Sequence, residues 1–206
     1  MKSLIAKIDA ALGSIYEIDT SIKSSDYVSD QNHPKKQGAL LIREGSPELK
    51  EIEVAIAFNK QIRSVLDELS TDNFSSWSLS QNQAFSVATE EISHFRCFIF
   101  HAEQSRAVSQ LELEFQGEID KFLLFYLLAQ NFESIYSQLF ESFSLSVELT
   151  EEEQERYRAA NRLAREFILK HRPQFTTSEK FSDLLKNLRA LYRMSPQDKF
   201  SLKQRL

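Results

Sequence analysis

Two periods of apolar residues run through this chain, and they divide it unevenly. Between about residues 81 and 104, Ala84, Ala88, Phe95, Phe98, Ile99 and Ala102 fall on one arc when positions advance by about 100° per residue, the mark of a helix with a buried face. From Gln110 to about Phe143, Leu111, Phe115, Phe122, Tyr126, Ala129 and Phe140 share a second arc, and Asn131 interrupts it as a point of bending. Helical stretches are also expected over about 3–23, 60–69, 151–171, 178–193 and 196–205. One region departs from this period. Gly38–Arg43 is a short β-like run, and Ile52, Val54, Ile56 and Phe58 alternate along one face of Glu51–Phe58. Gly45, Ser46 and Pro47 lie between the two runs and supply turn chemistry, so a β-hairpin is expected with Val54 and Ile56 buried.

Helix starts are legible from cap chemistry. A Ser or Thr followed three residues later by Glu or Gln satisfies two orphan backbone donors reciprocally. Ser80–Gln83, Ser109–Glu112, Thr150–Glu153 and Thr176–Glu179 all have this form, and Ser195 precedes a proline at a first helical position. Pro173 closes the helix that begins after Thr150. The fold class that follows is mainly α, a bundle of about six to seven helices with one β-hairpin in a single domain.

Composition narrows the class further. Only four Gly and four Pro occur in 206 residues, too few turn formers for an all-β sandwich or barrel. No apolar run approaches the ~20 residues that span a bilayer, and charges interrupt the first residues too often for a secretory signal. A single cysteine, Cys97, cannot form an internal disulfide, which points to a reducing cytoplasm. The net charge of −5 conceals a division: residues 156–206 carry 13 Lys+Arg against 4 Asp+Glu, and everything before them is acidic. Arg158, Arg162 and Arg165 form a basic stripe that could contact phosphates, but the acidic remainder and the lack of a reader motif disfavour nucleic acid. The simpler expectation is that the basic end packs beside the acidic body and balances it.

Candidate chemistry concentrates on two helices. Glu91 lies inside the apolar arc of residues 81–104, with His94 and His101 on its flank. Glu118 lies inside the arc of the following helix, with Glu114 on its flank. Ionisable groups in apolar stripes are costly unless paired. The short connection makes the two helices antiparallel neighbours. A mirror about residue 107 sets Glu114 near His101 and Glu118 within a turn of His94. Glu91-Ile-Ser-His94 has the Glu-x-x-His spacing of ferritin-like di-metal bundles, a resemblance that covers four residues. The second copy that those proteins need is missing. A single divalent ion on Glu91, His94 and Glu118 is therefore the metal reading, with His101 and Glu114 as a supporting or purely structural network.

Other groups read more simply. His33 is expected to be a loop residue, Cys97 a buried structural thiol, and His171 an imidazolium favoured by a helix C-terminus. No phosphate-cradling glycine loop and no nucleophile elbow is present. The leading functional expectation is a non-enzymatic cytoplasmic interaction or regulatory protein, with a protein partner or a second copy of itself and no cofactor. A metal-binding helical protein is the alternative, and weak nucleic-acid binding through the basic helices comes third.

Overall fold

The computed structural model describes residues 1–45, 51–145 and 149–201. It is a helical bundle carrying one antiparallel β-hairpin. In chain order the elements are α1 (Lys2–Tyr16), β1 (Gly38–Glu44), β2 (Ile52–Phe58), α2 (Lys60–Glu68), α3 (Leu79–Glu103), α4 (Gln110–Ala129), α5 (Phe132–Tyr136), α6 (Glu151–Lys170), α7 (Ser178–Arg193) and α8 (Pro196–Ser201). Expected helix beyond Ser201, and the turn residues Ser46 and Pro47, fall outside the described residues.

Cap chemistry starts most of these helices. Ser109 and Thr150 each form the reciprocal box with the glutamate three residues on, and Ser195 accepts the Asp198 N–H at the head of α8. Two caps sit elsewhere than expected. Ser78 with Gln81, rather than Ser80 with Gln83, opens α3, and Thr177 rather than Thr176 opens α7. The long helix expected to Phe143 is broken, not bent: Gln130 is left-handed at φ 51°, and the Asn131 side chain caps a new short helix, α5.

α1 also ends earlier than expected, at Tyr16, with Glu17 in the left-handed region. The C-terminal carbonyls of a helix need donors, and the basic α7 supplies them. Arg189 donates to the Ile15 carbonyl at 2.8 Å, and Arg193 donates to that of Tyr16 at 3.0 Å. Arg189 also pairs with Glu17 at 2.7 Å. Part of the basic end thus balances the acidic body directly.

α3 and α4 run antiparallel through the middle, with α1, α2 and β1 against α3 and α6 against α4. Both helices are buried on nearly every side, so polar residues are enclosed along with apolar ones. Asp120 accepts hydrogen bonds from Ser93 at 2.6 Å, from Gln116 at 3.0 Å and from the Tyr16 hydroxyl. Arg96 pairs with Asp9 of α1, whose other oxygen accepts the Ser24 N–H at 3.1 Å. Gly13 makes room for this pair, because a Cβ there would stand 3.0 Å from the Arg96 guanidinium.

The hairpin is only partly buried. Ile56 and Phe58 are sealed against the helices, Val54 is half-buried, and Ile52 at the far end is 51% exposed. The expectation for Val54 therefore holds in part and that for Ile56 in full. Beyond β2, Ser29 donates to the Ile56 carbonyl and His33 to that of Phe58, so the preceding loop covers that edge. Burial this uneven gives a clear expectation. Ile56→Ala should cost about 2–5 kcal/mol, and Leu41→Ala, on the exposed face in mid-strand, less than about 0.5 kcal/mol. Urea denaturation of the two variants checks this; comparable losses would contradict the packing described.

Candidate metal centre

At the centre of the α3–α4 interface, Gly117 of α4 leaves room for the polar side chains His94 and Glu90 of α3. A Cβ on Gly117 would lie 3.1 Å from His94 Nε2, so the imidazole occupies the space that a side chain would fill. This contact places the mirror between the helices near residue 105, not 107. The connection is lopsided: a left-handed Ser105 turns the chain directly after α3, and Arg106–Ser109 run on before α4 begins. The pairing is consequently displaced by just under a turn at Gly117, and by about two turns at Glu114, which meets His94 in place of His101.

His94 is 6% exposed. Its Nδ1 faces Glu91 at 3.7 Å and its Nε2 faces Glu114 at 3.5 Å, ion-pair contacts at or beyond the limit of a hydrogen bond. Nε2 has no hydrogen-bond partner. Ligand atoms of Glu90, His94 and Glu114 all lie within 4.8 Å of one another. α6 closes the cluster, with Arg156 3.6 Å from Glu114 and the Tyr157 hydroxyl against the same carboxylate.

The electrostatics follow from this crowding. Burial would push the His94 pKa down, but Glu91, Glu114 and Glu90 outweigh it and raise it to about 9. Burial pushes Glu114 up to about 7, against the opposing pull of His94. Glu90 is held low despite burial, because Lys121 and His94 face it. The Tyr157 phenol is pushed far up by burial and by the neighbouring carboxylates, so it stays neutral.

Not all the expected residues converge. Glu91 and Glu118 are both buried, as their arcs require, but only Glu91 touches His94. Glu118 points toward Lys121 at 2.8 Å and Asn161 of α6 at 3.3 Å, away from the imidazole. Glu114 meets His94 rather than His101. Glu90 joins the cluster unexpectedly, because it lies off the apolar arc; Lys121 reaches across to it at 2.8 Å and holds it inward. A glycine in the middle of α4 was the sequence signal for the seat of His94 and hence for the register.

The remaining candidates separate from this cluster. All three arginines of the basic stripe are exposed; Arg165 donates to the Tyr136 hydroxyl at 2.7 Å and Arg158 to Gln154 at 2.9 Å. Burial drives the Cys97 thiol up to about 12, consistent with a structural role. Burial lowers the His171 pKa, opposed by the Phe167 carbonyl 2.8 Å from Nδ1. No protein-family model, no curated protein and no solved structure matches this chain.

His101 generates a pH expectation. Its ring is 1% exposed, stands edge-on to Phe100 and stacks on Tyr192, and neither ring nitrogen is hydrogen-bonded. Burial, reinforced by Arg106 and Lys199, pushes its pKa down to about 4. In the unfolded chain the same group titrates near about 6.5. As pH falls the unfolded state takes the proton first, so the stability contributed is full above about 6.5 and lost toward about 4. The unfolding free energy of the native chain should therefore fall more steeply over that window than that of His101→Phe. Parallel pH profiles for the two proteins would contradict the assignment.

Proposed function

We propose that the protein binds one divalent metal ion through Glu90, His94 and Glu114. The observation that carries this reading is the buried His94 Nε2, which lacks a hydrogen-bond partner and faces two carboxylates within coordinating range of one another. Metal-bound histidines characteristically turn their second nitrogen to a carboxylate, and Glu91 stands beside Nδ1. This ligand set replaces Glu91, His94 and Glu118: Glu91 orients the ring, and Glu118 serves Lys121. Two carboxylates and an imidazole suit Mn2+, Fe2+ or Zn2+ better than a thiophilic ion. Without metal, a proton on His94 does the same electrostatic work, so ion and proton compete.

Calorimetric titration with Mn2+ and Zn2+ tests the reading. One ion should bind per chain, His94→Ala should abolish binding, and Glu118→Gln should leave it within about threefold, because Glu118 is not a ligand. Affinity should rise with pH as the competing proton is lost. Absence of stoichiometric binding by either ion, or loss of binding in Glu118→Gln alone, would overturn it.

A second reading, interaction with a protein partner or a second copy, draws support from the hairpin. Leu41, Ile42 and Ile52 are 45%, 44% and 51% exposed, and among the described residues no strand pairs with the outer edge of β1. If this edge pairs two copies, Leu41→Lys should abolish a concentration-dependent dimer in analytical ultracentrifugation; a native chain that stays monomeric at high concentration would exclude self-pairing. We place this activity in a cytoplasm on the strength of the lone buried Cys97. Among the described residues no helix is long and apolar enough to cross a membrane.

A further inference from the structure

A cavity of about 400 Å3 opens between α4, α6, α7 and α8, and no residue of the His94 cluster lines it. Its size falls within the range of small-molecule sites, about 300–1,000 Å3. Phe115, Leu163, Phe167, Leu191, Met194 and Phe200 give it apolar walls. The charged residues around it are Lys170 and Glu166 on α6, at i,i+4 spacing, and Lys199 on α8.

Lys199 sits in an unbalanced position. Its side chain is wholly buried, and its ammonium lies 3.4 Å from Glu112, itself wholly buried. Glu112 is also paired with Arg106, so one carboxylate serves two cations. Arg106 Nε and Nη1 are buried without hydrogen-bond partners, as are both nitrogens of His101 beside them. Acceptors are therefore short around Glu112, the partner of the cavity-lining Lys199, and among the described residues a buried positive charge is left in excess. Buried charge without a matching partner is costly, and an incoming anion would supply the missing acceptor. Lys199 also lines the cavity, and an anion there that drew its ammonium away would leave Arg106 on the Glu112 carboxylate.

We propose that this cavity binds an amphipathic organic acid, with its alkyl or aryl body against the phenylalanine-rich walls and its carboxylate taken by Lys199. The His94 cluster plays no part, so the proposal stands independently of the metal reading. Decanoate is a suitable probe, and 1-decanol is its neutral counterpart with the same apolar body. Calorimetry on the full chain at pH 7.5, below micellar concentrations, should show one decanoate per chain and at least tenfold weaker binding of decanol. Lys199→Met should remove the preference for the acid. Ala190→Trp, which fills the mouth from an exposed position on α7, should abolish binding of both, with the helical circular dichroism unchanged. Failure of decanoate to bind the native chain, equal binding of acid and alcohol, or a preference that survives Lys199→Met would each overturn the proposal.

Discussion

Charge enclosed between α3 and α4 has to be paired, and the rest of the molecule is arranged to pair it. The two helices bury almost their whole circumference, so neither has a solvent face on which to place its ionisable residues. A buried charge stripped of its partner costs several kcal/mol, of the order of 3–5. Each enclosed charge here recruits a different neighbour. Arg96 takes Asp9 from α1, Asp120 takes the Tyr16 hydroxyl from the same helix, and Glu118 takes Asn161 from α6. Glu114 draws Arg156 from α6, and Glu112 draws Lys199 from α8. The polar seam therefore positions the outer helices as well as joining the inner two.

Much of the fold was legible because it is written in local chemistry. The Ser109 and Thr150 boxes, the proline after Ser195 and the alternation through Ile56 and Phe58 each specify structure within a few residues of themselves. Where two signals overlapped, local reading chose the wrong one: Ser78-x-x-Gln81 and Ser80-x-x-Gln83 are equally good boxes, and tertiary packing selects the first. The burial of Glu91 and Glu118 was also readable, since their angular positions put them among apolar residues. Their partners were not, because pairing depends on the inter-helix register, and the register depends on how the Ser105 turn divides the connection. Gly117 carried that information, as a residue whose missing side chain admits His94. Glu90 gave no such sign, because the force that turns it inward comes from Lys121 on another helix.

The same principle links the metal cluster and the apolar cavity, although they lie in different parts of the bundle. In the cluster Glu90, Glu91 and Glu114 surround one imidazole, with Lys121 and Arg156 offsetting two of the three carboxylates, a setting that favours one further positive charge at His94. Around Glu112 the imbalance has the opposite sign, with two cations on one carboxylate and unpartnered donors nearby, a setting that favours an anion. Elsewhere the seam is better matched: Asp120 accepts from Ser93, Gln116 and the Tyr16 hydroxyl.

The central claim is that His94 seated over Gly117 and facing Glu114 sets the register of the inner helices. A pair of double-mutant cycles in metal-free protein tests it most directly, one combining His94→Gln with Glu114→Gln and the other His101→Gln with Glu114→Gln. The account predicts a coupling in unfolding free energy above about 0.5 kcal/mol for the first pair and additivity within about that amount for the second. Additivity between His94 and Glu114, with coupling between His101 and Glu114, would contradict the register on which the whole seam rests.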